Sequence, residues 1–138
     1  MIFLVIYKYF KENIPLILMI KMELKIFSDF IAEGVSAEEK KRYGPAVSNY
    51  YKALTFLCSY LIKERLGKYP GNHTEIFLFL RVSFPQIYEV VDGVFSIYRE
   101  SYDHLMIKID SERIKDAIKK VSQLGKIEKE FAEDLKKL

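Results

Sequence analysis

Arg99 and His104 are the two side chains in this sequence that are best suited to phosphate chemistry. An arginine binds a phosphate with its guanidinium fork and stabilises the charge that builds up at phosphorus. A histidine titrates near neutral pH, so it can take or give a proton. Together the two groups suffice to cut RNA without a metal, because the 2′-hydroxyl, which only RNA has, can attack the neighbouring phosphorus while histidine moves the proton.

Three neighbours are candidates for supporting roles. Glu100 and Asp103 are placed to orient the pair, and Tyr102 offers a ring on which an RNA base can stack. The same spacing also fits ordinary surface pairs, Arg99 with Asp103 and Glu100 with His104, each four residues apart. On one straight helix Arg99 and His104 point about 140° apart. A shared site therefore needs a bent helix or a second subunit.

The remaining residue types predict no cofactor and no metal site. The sequence has two histidines, His73 and His104, and one cysteine, Cys58, without metal-ligand spacing or a glycine-rich phosphate loop. His73 is interpreted as a structural or exposed residue at a helix start. Cys58 lies in an apolar run and is predicted to be buried and inert. Because one cysteine cannot form a disulfide within the chain, a reducing, cytoplasmic setting is expected.

Composition predicts one domain, since the 138 residues are 50% hydrophobic and 30% charged, which is enough to bury a core. A net charge of +3 is compatible with nucleic-acid binding but is too small to indicate it. The apolar runs within residues 1–21 are short and separated by charges, so no membrane span is expected. This stretch is interpreted as a packed helix, an oligomerisation surface, or an extension upstream of a domain that starts at Met22 and covers 22–138.

Apolar residues at three–four spacing predict helices and no strand. The first predicted helix is about Met22–Glu33, and the second is Ala46–Leu66, with Pro45 in its first turn and Gly67 as its C-cap. A third helix is capped by Asn72 with Glu75, and a fourth runs from Pro85 to about His104. The last predicted helix is capped by Asp110–Ser111 and has an apolar face that continues to Leu135. Gly34–Ala37 is predicted to be a break, after which Ser36 and Glu39 have capping-box spacing. The pattern indicates an all-α antiparallel up-and-down bundle of four to five helices. A small bundle exposes apolar surface at its rim, which favours a dimer.

From about Lys40 to Asp134 the sequence resembles the HEPN (higher eukaryotes and prokaryotes nucleotide-binding) family of helical bundles. Its members often have an arginine followed four to six residues later by a histidine, as Arg99 is by His104, with a polar residue directly after the arginine. Related members have an Arg-x-x-Ala-Asp-Tyr pattern, which shares Asp103. The resemblance implies a HEPN-like fold.

Earlier parts of the chain share further features with this family. The run Ser48–Leu54 resembles the Tyr-Tyr-Ala run of the family's second helix, and a glycine-ended helix and a loop with Pro70 and His73 follow. In toxins whose tyrosine is modified by a partner, that tyrosine stands two residues after the histidine. Here Met106 stands there, so the resemblance does not extend to this modification, although Tyr102 is near. Residues 1–21 have no counterpart in the family.

The resemblance implies a metal-independent endoribonuclease that acts on RNA as a homodimer and is the toxin of a toxin–antitoxin pair. Arg99 would bind the phosphate and His104 would be the general acid or base. The antitoxin would be a small nucleotidyltransferase. Two alternatives stay open: a non-catalytic module that binds a nucleotide or substrate for such a nucleotidyltransferase, and a purely structural helical dimer.

Overall fold

The protein is all-helical in a computed structural model that describes residues 16–138 together with Ile2, Val5 and Lys8. Six helices pack together in this part of the chain: α1 (Leu16–Glu39), α2 (Tyr43–Leu66), α3 (His73–Ser83), α4 (Pro85–Glu100), α5 (Lys108–Leu124) and the short α6 (Ala132–Leu135). The predicted all-α class is confirmed, and residues 16–138 by themselves contain six helices where four to five were expected. The interpretations of residues 1–21 fall mostly outside the described residues, but α1 passes through Met22 without a break.

The α2 helix lies at the centre of the bundle, in contact with α1, α3, α4 and α5. Its buried side chains are Ala46, Val47, Tyr50, Tyr51, Ala53, Leu54, Phe56, Leu57, Cys58, Leu61 and Ile62. As predicted, Pro45 lies in the first turn, and Gly67 ends the helix with a left-handed φ of 65°. Cys58 is fully buried as expected, and burial raises the pKa of its thiol to about 12.

The α1 and α2 helices run antiparallel. Glu23, in the first half of α1, forms an ion pair with Lys63 near the end of α2. Near the other end, the Tyr50 hydroxyl of α2 donates a hydrogen bond to Glu38 of α1 (2.9 Å). Between the helices Lys41 adopts a left-handed φ of 57°, which reverses the chain direction.

The α2 and α5 helices run parallel. The Lys115 ammonium lies 6.0 Å from the ring centroid of Tyr50, and Arg65 donates to the carbonyl of Gly125 (2.8 Å). Early residues of α2 therefore meet early residues of α5. The start of α4 lies beside the end of α5, so α4 and α5 run antiparallel. The four long helices α1, α2, α4 and α5 therefore alternate in direction, but α3 between α2 and α4 interrupts the simple up-and-down order that was predicted.

The predicted break at 34–37 is wrong, because α1 runs through it to Glu39. Gly34 is buried, and a Cβ there would lie 2.4 Å from Cε1 of Tyr50. Glycine is needed at this position because the Tyr50 ring of α2 packs against the backbone of α1. Ser36 and Glu39 consequently lie inside α1 and cap no new helix.

The start of α3 follows the prediction. Asn72 accepts a hydrogen bond from the backbone N–H of Glu75 (2.9 Å), which is the expected cap. The Glu75 carboxylate accepts from the backbone N–H of Gly71, one residue before the cap. Pro85 begins α4, also as predicted.

Three boundaries near the C-terminus differ from the prediction. α4 ends at Glu100 instead of near His104, and α5 begins at Lys108, so that Asp110 lies in its first turn and accepts from the N–H of Ile107 (2.9 Å). The helix that was predicted to run to Leu135 is α5, which ends at Leu124. After it, Lys126 adopts a left-handed φ of 55° and the chain turns towards the buried Ile127, before the separate short α6.

Glu38 ties α1 to α2 and α5. Besides Tyr50, its carboxylate accepts hydrogen bonds from Ser111 (2.7 Å) and Lys115 (2.9 Å), both on α5. Burial by itself raises the pKa of Glu38, but the bonds from Ser111, Lys115 and Tyr50 outweigh it and hold the pKa below its usual value. The ionised carboxylate therefore stabilises the junction of the three helices.

We expect Gly34→Ala to destabilise the protein by about 1–3 kcal/mol, because the added methyl overpacks the contact with Tyr50. Gly93→Ala is the matched control. A Cβ at Gly93 in α4 meets nothing within 4 Å, so alanine there should stabilise the helix by about 0.5–1 kcal/mol. Urea unfolding measures both, and equal effects of the two substitutions would contradict the close approach.

We expect Glu38→Gln to lower the free energy of unfolding at pH 7 by about 1–3 kcal/mol, since charge-assisted hydrogen bonds are lost. A lowered pKa in the folded state gives stability that is present above the ordinary carboxyl value and is lost as the pH falls through the folded-state pKa. The gap between the wild type and the variant should therefore shrink at pH 3. A gap that stays constant or grows on acidification would contradict this, and the exposed Glu133→Gln serves as control.

Candidate functional site

Arg99 and His104 lie on either side of the C-terminal end of α4. The helix ends at Glu100, and residues 101–104 form turns in which the His104 N–H donates to the Glu100 carbonyl (2.8 Å). The separation expected on a straight helix therefore does not apply. Both side chains are exposed at this end of the bundle.

His104 is paired with its neighbour Asp103. Its Nδ1 lies 2.6 Å from Oδ1 of Asp103, and the two side chains are 67% and 74% exposed. A carboxylate only accepts hydrogen bonds, so this contact requires the proton on Nδ1. In neutral His104 the Nε2 atom is then the free base, which is the arrangement that a proton acceptor needs.

Arg99 packs on an aromatic ring. Its guanidinium carbon lies 5.3 Å from the centroid of Phe95, one helical turn earlier. Among the described residues, the surface pairs that the spacing allowed, Arg99 with Asp103 and Glu100 with His104, are not formed, and Asp103 pairs with His104 instead. No described residue forms a hydrogen bond or ion pair with the Arg99 guanidinium, which leaves its fork open to a ligand in this part of the chain.

An aromatic cluster lies beside these residues. Tyr98 stacks on Tyr51 of α2 with ring centroids 4.1 Å apart, and its hydroxyl lies 2.6 Å from that of Tyr102. His73, at the start of α3, lies 6.0 Å from Tyr51 and 6.4 Å from Tyr98 between ring centroids. The hydroxyl of Tyr51 is buried without a hydrogen-bond partner in the described part of the chain, so its ring backs the cluster as an apolar surface.

Sequence reasoning named Tyr102 but missed Tyr98 and His73. The four-residue spacing of Tyr98 and Tyr102 was a usable signal, whereas the approach of His73 depends on how α3 packs against α4. Burial, followed by the hydrogen bond that its hydroxyl shares with Tyr102, raises the pKa of Tyr98 to about 12. Tyr98 is therefore a neutral hydroxyl at physiological pH.

The segment that follows the site exposes apolar side chains. Tyr102 is 76% exposed and Leu105 is 91% exposed, and Ile107 and Ile109 are more than half exposed. Only Met106 of this stretch turns into the core. Concentrated exposure of large apolar groups marks a surface that binds another molecule.

Among residues 16–138 with Ile2, Val5 and Lys8, no group of three or more histidine, cysteine or acidic side chains is arranged to hold a metal ion. None of the helices in the same residues has the length and hydropathy of a membrane span. The described site thus contains Arg99, the Asp103–His104 pair and an aromatic surface. Glu100 contributes through its backbone carbonyl.

Comparisons with known proteins return no match: no family model, no curated protein and no solved structure is similar to this chain. Its function is therefore inferred from the chemistry of its own residues.

Proposed function

We propose that the protein is a HEPN-like endoribonuclease that cleaves RNA without a metal ion at the end of α4. The observation that carries the proposal is the Asp103–His104 hydrogen bond, which lies just after the last turn of the helix that carries the exposed Arg99. It supplies a proton acceptor and a phosphate-binding cation at the same exposed end of the helix bundle.

In the proposed reaction, Nε2 of His104 takes the proton of a 2′-hydroxyl, and the oxygen attacks the adjacent phosphorus. The new O2′–P bond forms as the P–O5′ bond breaks, which leaves a 2′,3′-cyclic phosphate and a 5′-hydroxyl. The His104 imidazolium then gives the proton to the departing O5′ oxygen. Arg99 stabilises the negative charge that builds up on the phosphoryl oxygens.

The aromatic cluster supports the choice of a single-stranded nucleic acid. Rings such as Tyr102 and Tyr98 offer faces on which bases stack without sequence preference. The further proposal, that this cytoplasmic enzyme is a toxin neutralised by a small nucleotidyltransferase, rests on the HEPN resemblance alone.

The proposed enzyme acts as a homodimer. In one chain His104 and Asp103 are largely exposed, and water screens their interaction. A second copy packed on Leu105, Ile107 and Ile109 would cover this apolar surface. It would also bring a second Arg99–His104 pair to a drier site.

His104→Ala and Arg99→Ala should each slow RNA cleavage by about a hundred- to ten-thousand-fold. Helicity and the melting temperature should change little, since both side chains are exposed. The matched control is Arg81→Ala, an exposed arginine near the end of α3, which should cleave normally. Excess chelator should have no effect, and DNA should survive because it lacks the attacking hydroxyl.

Gel assays on labelled RNA measure these rates. Cleavage that persists in His104→Ala, or that stops with chelator, would overturn the mechanism. If the clean wild type cleaves none of a broad set of RNAs, the non-catalytic binding module becomes the better proposal.

We expect sedimentation at micromolar concentration to show a dimer, and Leu105→Glu to shift it towards monomer, because the charge would be buried in the interface. Val82→Glu is the matched control, since Val82 is an exposed apolar residue on α3 (73% exposed) outside this segment. A monomeric wild type, or equal dissociation by both substitutions, would count against the dimer.

A further inference from the structure

A groove of about 230 Å³ lies on the face of α2 between α1 and the start of α3. Its floor is formed by Lys52, Thr55, Phe56 and Ser59. Lys52 lies three and four residues before Thr55 and Phe56, and Ser59 lies four and three residues after them, so the four positions form a single stripe along α2. No described helix covers this stripe where the groove is open.

The two walls differ in chemistry. The α1 wall is apolar and consists of Ile26 and Phe30. The opposite wall is the start of α3, where Ile76 continues the apolar surface and Asn72 and His73 form a polar rim. A ligand in the groove would have an apolar side and a polar side.

Among the described residues that line the groove none is acidic, and Lys52 is the one lysine or arginine. The Thr55 hydroxyl donates to the Lys52 carbonyl (3.0 Å), so towards a ligand it can only accept. Asn72 uses its side-chain oxygen to cap α3, which leaves its amide N–H groups to donate. The groove therefore complements a group that combines an apolar or aromatic part with negative charge and acceptor atoms.

His73 connects the groove to the candidate site. It lines the groove and also lies 6.4 Å from Tyr98, which directly precedes Arg99 in the chain and whose hydroxyl contacts that of Tyr102. His73 and Tyr98 thus lie between the groove and the end of α4. One strand of nucleic acid that passes over these two rings would reach both places.

We propose that the groove binds one nucleotide of the RNA strand, with its base against Phe30 and Phe56 and its phosphate at Lys52. Its volume of about 230 Å³ lies below the roughly 300 Å³ at which pockets for drug-sized ligands begin, which suits the base of a nucleotide whose sugar and phosphate extend out of the groove. The inference rests on the proposed function and deepens it, since it gives the RNA a second contact beyond the cleavage site and a place where base preference can arise.

The test uses the full chain and a single-stranded RNA made non-cleavable by 2′-O-methylation, followed by fluorescence anisotropy. Ser59→Phe, which fills the groove, and His73→Ala, which removes a ring, should each weaken binding roughly tenfold. Lys52→Ala should weaken it several-fold and lower the slope of log affinity against log salt by about one. Lys120→Ala is the matched control, because Lys120 lies beside Gln86 and Glu89 near the other end of α4.

Circular dichroism and melting curves show whether each variant is folded. If Ser59→Phe does not fold, Lys52→Ala still tests the proposal. Wild-type affinity in both Lys52→Ala and His73→Ala would overturn the groove proposal while leaving cleavage at His104 untouched. A wild type that neither binds nor cleaves RNA would overturn the proposed function itself. Free mononucleotides that shift the groove resonances in NMR spectra, while groove variants bind RNA normally, would also overturn the RNA assignment.

Discussion

The contact between Gly34 and Tyr50 sets the distance between α1 and α2, and the hydrogen bonds that join these helices to α5 depend on that distance. Only a residue without a Cβ allows the Tyr50 ring to lie against the α1 backbone. In this position the Tyr50 hydroxyl reaches Glu38, which also accepts hydrogen bonds from Ser111 and Lys115 of α5. One close approach thereby fixes three helices, and the hydrogen bonds from Tyr50, Ser111 and Lys115 replace the solvation that the partly buried Glu38 carboxylate loses.

The position of α2 then determines the geometry of both proposed surfaces, the end of α4 and the groove. Its next residue, Tyr51, stacks on Tyr98 and so holds the last turn of α4 that carries Arg99. The same helix provides Lys52 and Phe56 for the groove floor. Because the α2 core residues are packed on every side, these surface groups are held on a rigid element, which is how a binding site keeps its geometry.

The polar side chains of the candidate site are exposed to solvent, unlike the core residues of the bundle. Asp103 and His104 meet in a turn at the bundle end, where water weakens their mutual electrostatic effect. Groups in such a setting become effective when a ligand or a second subunit excludes the water. The apolar side chains that follow, Leu105 above all, are exposed and would be covered by the proposed second subunit, and the rings of Tyr98 and Tyr102 lie next to one another where the proposed RNA would bind.

The sequence by itself determined what depends on neighbouring residues. The helical class, the cap at Asn72, the left-handed end at Gly67 and the burial of Cys58 follow from side-chain periodicity and from dihedral preferences that act over a few residues. Candidate residues Arg99 and His104 were likewise visible from residue type and spacing. Only the tertiary structure decided that Gly34 lies inside a helix, that α4 ends before His104, and that His73 joins Tyr98. These features depend on contacts between residues far apart in the chain, and such contacts leave no local pattern because their energy is realised only when the helices pack.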